Sequence, residues 1–142
     1  MALLNILEFP NELLIKKSKP VDDFSGRLHT LLDDMRETLI KSHGIGLAAP
    51  QVGVLYRVAL VDTGDGIIEL INPKILKEGK FKSGDEGCLS VPDFRCKVKR
   101  PHYLEIEAQD RNGKTFTRVF EGIEAVCAGH EIDHLDGKLI ID

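Results

Sequence analysis

The stretch IEAVCAGHEIDHLDG, residues 123–137, has apolar positions at helical spacing from Ile123 to Leu135, and Gly137 stands where a glycine can end a helix. Residues four apart on a helix share one face. His130 and His134 therefore reach one point, with Glu131 about 100° round the axis from His130. This is the H-E-x-x-H arrangement, in which two histidines hold a metal and the glutamate handles a proton. Val126, Cys127, Ile132 and Leu135 flank the motif and mark a largely buried helix. Two imidazoles and a carboxylate inside a core need partners, and a metal ion satisfies them.

The segments before this helix read as a second helix and a set of strands. Leu28, Leu31, Leu32, Met35 and Leu39 predict an amphipathic helix over Phe24–Ser42, capped by Asp23 or Ser25 and ending near His43-Gly44, with its charges forming a solvated face. Arg57–Val61 and Ile67–Ile71 are short apolar runs around the turn-rich Asp62–Gly66, which predicts a hairpin closed by Asn72-Pro73. Leu104, Ile106 and Ala108 alternate with Glu105, Glu107 and Gln109 as in a half-buried strand. Arg111-Asn112-Gly113 then turns the chain into a further strand, Thr115–Phe120. The expected class is α+β: antiparallel β-sheets packed around the C-terminal motif helix, with an N-terminal helix.

Composition narrows the setting. A chain of 142 residues fits one domain spanning 1–142 and can bury a real core. Its net charge of −4 gives no support for direct nucleic-acid recognition. The apolar opening MALLNILEFP is interrupted by Glu8 and Pro10 and has no basic start, unlike a secretory signal. No run approaches the roughly 18 apolar residues of a membrane span. Cys88, Cys96 and Cys127 form an odd set that suits a reducing compartment, so the expected location is cytoplasmic.

Two histidines leave a metal site incomplete. Cys127 is the nearest thiol, but it lies seven residues from His134, about 10.5 Å along a helix axis. Three side chains spread over two turns would strain tetrahedral geometry. Cys88 is the better third ligand, because the glycines in Gly84-Asp85-Glu86-Gly87-Cys88-Leu89-Ser90 let a short loop present both a thiolate and free N–H groups. Cys96 and Cys127 read as small buried hydrophobes, and His29, His43 and His102 as surface or loop residues. One thiolate and two imidazoles with an open fourth place form a catalytic pattern. A further stretch, Gly44–Gly53, has two readings: an edge strand whose glycines admit a peptide by strand addition, or a glycine-rich loop after the helix.

Taken together, G-x-G-x-A-A-x-Q over Gly44–Gln51, EGCLS over Glu86–Ser90 and HEIDHLDG over His130–Gly137 resemble the three signature motifs of the peptide deformylases. Pro92–Arg95, Val98 and Arg100 resemble the stretch that follows the cysteine motif in that family. The resemblance implies a metallohydrolase that removes the formyl group from N-formylmethionyl nascent peptides, with transient ribosome association. It implies Cys88, His130 and His134 as ligands of Fe²⁺, which Zn²⁺, Ni²⁺ or Co²⁺ can replace. It implies Glu131 as general base, with the Gln51 amide and the Leu89 backbone N–H stabilising the oxyanion. Ile45 and Gly46 would hold the peptide backbone, Ile45, Val126 and Cys127 would line the methionine pocket, and Arg95 would fix the entrance. Glu86 and Asp133 would orient the metal loop or helix, with a surface role the other reading for Asp133.

Two departures accompany the likeness. Gly129 stands where family members commonly carry glutamine, from which a packing change is expected. The chain ends at Asp142, without the extension of many bacterial members, so contacts of that extension, ribosome docking among them, are not expected to be made in the same way. Two other classes share parts of the pattern. A metallopeptidase of the H-E-x-x-H type usually takes its third ligand downstream, where the remaining carboxylates are Asp136 and Asp142. A metal-stabilised fold or thiolate metal sensor would close the fourth place with protein.

Overall fold

The structure, a computed structural model, describes residues 3–139. The chain's end at Asp142 lies outside the described residues. Helix α1 runs Gly26–Lys41, followed by β1 (Gly46–Ala48), β2 (Val58–Asp62), β3 (Ile67–Cys88), β4 (Val91–Gln109), β5 (Thr115–Glu121) and α2 (Ile123–Leu135). The strands form one five-stranded antiparallel sheet in the order β1-β2-β3-β4-β5, the α+β class that the sequence predicts.

Strand β2 shows how the layers form. Val58, Ala59, Leu60 and Val61 are all fully buried, because a helix covers each face of the sheet at this strand. Ala59 and Val61 pack in one cluster with Ala125, Ala128, Ile132 and Leu135 of α2. Val58 and Leu60 pack in another with Leu28, Leu32, Met35 and Leu39 of α1. A strand covered on both faces needs a continuous apolar run rather than alternation, and VALV supplies one. At roughly 1.5–3 kcal/mol per fully buried large aliphatic side chain, these two clusters are the main drive for the fold.

The ends of the helices are set by backbone chemistry. Ser25 is the N-cap residue of α1, and Asp23 accepts a hydrogen bond from the Ser25 N–H at 3.1 Å. At the other end of α2 the carbonyl of Leu135 accepts from the Ser18 N–H at 2.9 Å and from Arg57 Nη1 at 3.3 Å. Gly137 has φ +76, and a Cβ there would collide with the Ile15 carbonyl, so only glycine lets the chain turn against the preceding segment.

Strand β3 corrects one expectation. Asn72-Pro73 was expected to close the strand at Ile71, yet β3 continues through it to Cys88. Asn72 takes φ +52 and the register shifts between Ile71 and Lys74, which marks a bulge. Its side chain replaces the lost ladder bonds, accepting from the Val21 N–H at 2.8 Å and donating to the Val21 carbonyl and Gln109 Oε1. Proline is tolerated there because a bulge needs no N–H. Beyond this point β3 and β4 form a long ribbon, and β5 covers β4 only from Tyr103 onward. The ribbon turns at Leu89-Ser90, with Cys88 paired to Val91.

Candidate metal centre

Gly44–Gly53 forms a strand and then a short helical turn. Gly46–Ala48 is the edge strand β1, and Ala49–Val52 is a turn of 3-10 helix. The N-terminal segment fixes two motifs from below: the Leu7 N–H donates to the Gln51 carbonyl at 2.6 Å and the Phe9 N–H to the Ser90 carbonyl at 2.7 Å. Thus the turn that carries Cys88 and the segment that carries Gln51 are held by one strip of backbone.

The side chains of Cys88, His130 and His134 converge, with one donor atom from each lying within 4.8 Å of the others. Cys88 Sγ is 3.2 Å from His134 Nε2, which is 3.2 Å from His130 Nε2. Tetrahedral ligands about 2.0–2.3 Å from an ion stand roughly 3.3–3.6 Å apart. The spacing fits a shared divalent ion after small adjustments. Cys127, as expected, does not join the group: its thiol donates to the Ile45 carbonyl at 3.1 Å, and burial first, then the nearby Glu131, pushes its pKa far above the usual thiol range.

Charge around the imidazoles also fits a cation. His130 Nδ1 lies 3.1 Å from Glu86 Oε1, so the proton there faces the carboxylate and Nε2 faces the centre. Burial works against a charged His130, but Glu131 and hydrogen bonds to Cys88 and Glu86 outweigh it and hold its pKa up to about 10. His134 is pushed down to about 3 by burial and by the neighbouring His130, which leaves it a neutral donor. Its Nδ1 is buried with no hydrogen-bond partner among the described residues.

Behind this pair stands a charge network that the sequence revealed only in part. Arg100 Nε donates to Glu86 Oε2 at 2.6 Å, and Arg100 Nη1 donates to Asp133 Oδ2 at 2.8 Å. Burial opposes ionisation of Glu86, but hydrogen bonds from His130 and Arg100 overcome it and lower its pKa. Arg100 therefore ties the metal helix to the arm that carries Cys88. Its signal in the sequence was alternation, since Cys96 and Val98 are half-buried and Arg100 buried while Arg95, Lys97 and Lys99 are exposed.

Glu131 is almost fully buried, and one of its oxygens, Oε1, has no hydrogen-bond partner among the described residues. Burial raises its pKa to about 7, the range in which a carboxyl group can both take and return a proton. Gly46 makes room for it. A Cβ on Gly46 would stand 2.5 Å from Glu131 Oε2 and 2.7 Å from Cys127 Sγ. The missing side chain thus accommodates the carboxyl group.

Gln51 is anchored by its oxygen, which accepts from the Ala48 N–H at 2.9 Å. Its Nε2 donates to Ser90 Oγ at 3.2 Å and lies 3.7 Å from Cys88 Sγ, so the amide reaches toward the centre. Ile45, Gly46, Gln51, Leu89, Arg95, Val126, Cys127 and Glu131 all line one cleft of about 780 Å³, which Cys88 and His130 line as well. His43 and His102 line it too, with His102 inside β4 rather than in a loop. Gly129 leaves α2 regular, and its expected packing change is limited to an unfilled methyl position 3.7 Å from Leu104 and 3.9 Å from Arg100.

Comparison with known proteins extends beyond the motifs. Residues 3–142 match the family model of polypeptide deformylase. The peptide deformylase of Caldicellulosiruptor bescii is 50% identical over the whole of this chain and 86% of its own length. The crystal structure of a peptide deformylase from Legionella pneumophila superposes with a TM-score of 0.96 at 42% identity, covering 99% of this chain and 85% of that one. A peptide deformylase from Acinetobacter baumannii with Met-Ala-Ser bound gives 0.91 at 32% identity, covering 98% and 97%. Kinship on this scale, reaching from the first strand contacts to the motif helix, makes the chain a member of the polypeptide deformylase family.

Proposed function

We propose that the chain hydrolyses the formyl amide of N-formylmethionyl peptides, releasing formate and a free amino terminus. One observation carries this reading: Cys88, His130 and His134 gather their donors near the buried Glu131, whose Oε1 has no hydrogen-bond partner among the described residues, and Cys88, His130 and Glu131 line one open cleft. The names of the relatives and the Met-Ala-Ser bound to one of them support the substrate class. Residues 1–142 act as a single catalytic domain in this proposal, working in the cytoplasm on nascent chains in transient association with the ribosome. Fe²⁺ is the proposed ion, and Zn²⁺, Ni²⁺ or Co²⁺ suit the same thiolate and imidazole donors.

A divalent ion held by these ligands would supply Lewis acidity, activating water and polarising the formyl oxygen. The protein's own groups do the rest. Glu131 accepts the proton of the attacking water while the new C–O bond forms, then delivers it to the amide nitrogen as the C–N bond breaks. The Gln51 amide and the Leu89 N–H face the oxygen on which negative charge develops; removing one such donor costs roughly 10²–10³-fold in rate. Ile45 and Gly46, at the open edge of β1, align the peptide backbone. Ile45, Val126 and Cys127 enclose the methionine side chain, and Arg95 guides the entrance.

Formate release from formyl-Met-Ala-Ser by anaerobically purified protein, with metal analysis of the same sample, tests the reading. Turnover proportional to bound metal is expected, and metal-loaded protein that leaves the peptide intact would refute it. Cys88→Ser should lose both metal and activity, whereas Cys127→Ser should keep its metal. The reverse pattern would mean that the wrong thiol is assigned.

A further inference from the structure

The β3–β4 ribbon beyond Tyr103 is a two-stranded arm, and its charge differs from that of the rest of the chain. Residues 80–102 hold six of the chain's 19 lysines and arginines but three of its 23 carboxylates, in a molecule of net charge −4. Arg100 and Glu86 neutralise each other inside the arm. Lys80, Lys82, Arg95, Lys97 and Lys99 are all exposed and have no ion-pair partner among the described residues, unlike Arg57, Arg100 and Arg111.

Arrangement adds to the count. Arg95, Lys97 and Lys99 alternate along β4 and so share a face, paired in register with Gly87, Asp85 and Ser83. Their spacing of about 6.7 Å equals that of alternate side chains in an extended peptide. Arg95 lines the cleft, so this row begins at the mouth of the site and continues along the arm through Lys97 and Lys99, while Lys82, in register with Arg100, lines the cleft from the arm's other face.

The geometry points to the arm as a charge-selecting element: it favours peptides that carry Asp or Glu a few residues beyond the one seated in the cleft. This rests on the proposed deformylase reading, because it assigns the part of the substrate that leaves the site. A lip of one charge raises capture of oppositely charged ligands by about tenfold or more at low salt, and the gain disappears as the Debye length shrinks from about 30 Å to about 3 Å.

The test compares kcat/KM for formyl-Met-Ala-Ser-Glu-Glu and formyl-Met-Ala-Ser-Lys-Lys at about 0.01 M and about 1 M salt. We expect the acidic peptide to lead by about tenfold at low salt and to lose its lead at high salt. In Lys97→Glu/Lys99→Glu the acidic-to-basic ratio should fall severalfold, and because the ratio is internal to each sample, partial misfolding does not alter it. Equal rates at low salt, or a ratio unchanged in the double variant, would overturn the inference. So would a variant that keeps its peptide ratio but loses binding of polyuridylate, since the arm would then serve nucleic acid. If neither peptide releases formate, the assigned reaction fails. Fluorescence anisotropy of the same peptides, labelled at the C-terminus, then reads the arm's preference directly.

Discussion

Helix α2 and the β3–β4 arm both carry dense charge, and they treat it in opposite ways. At α2 the charges that position the helix are held in pairs: His130 by Glu86 of β3, and Glu86 and Asp133 by Arg100, while Glu131 Oε1 and His134 Nδ1 are buried with no hydrogen-bond partner among the described residues. On the arm Lys80, Lys82, Arg95, Lys97 and Lys99 are exposed, with no ion-pair partner among the described residues. Burial makes the first set expensive to disturb, because removing one partner strands another charge away from water. Solvent screens the second set, so its members matter little to stability and act on whatever approaches. The contrast separates groups that hold a site together from groups that address a ligand.

The sharpest way to break that contrast is Glu131→Ala. The site should keep its metal but lose about 10²–10⁴-fold in deformylation rate, measured as formate release at saturating substrate. Near-normal turnover would remove Glu131 from proton transfer. Arg100→Met comes next. Leaving Glu86 and Asp133 without their cation should cost about 3–5 kcal/mol in urea denaturation, whereas Lys97→Ala should stay within about 0.5 kcal/mol. Similar costs for the two would erase the difference between the regions.

Gly46→Ala sharpens the comparison on the catalytic side. Its Cβ must displace the Glu131 carboxyl or the Cys127 thiol, so a fall of about 10²-fold in rate with metal retained is expected. An unaltered rate would show that the carboxyl group has room to spare. The smallest effect is a gain. Gly129→Ala places a methyl at ordinary contact distance from Leu104 and Arg100 inside α2, and should stabilise the protein by about 1 kcal/mol in thermal or urea unfolding.

These regions were also unequally legible. The bounds of α2 were plain in the sequence because helical periodicity, buried polar residues and Gly137 all agree on them. The arm was not. Its residues Lys77–Gly87 have no apolar alternation, and they are strands because β4 pairs with them in register across a single turn. Asn72-Pro73 misled for a related reason: the local rule ends a strand there, but side-chain bonds from Asn72 to Val21 and Gln109 carry the chain through. At the site, ligand spacing announced the two histidines, and the glycines around Cys88 announced the third ligand. Arg100 needed tertiary information, since its two partners lie 14 and 33 residues away.

The bare Cα of Gly46 has a mechanical consequence. One atom of backbone is at once the wall behind Glu131 and part of the open rim of the sheet. In the proposed reaction, a guest that docks along that rim leans on the same atom that sets the stance of the proton carrier. Inhibitors that pry the rim outward would loosen the carboxyl group without touching it, and compounds that press inward would brace it.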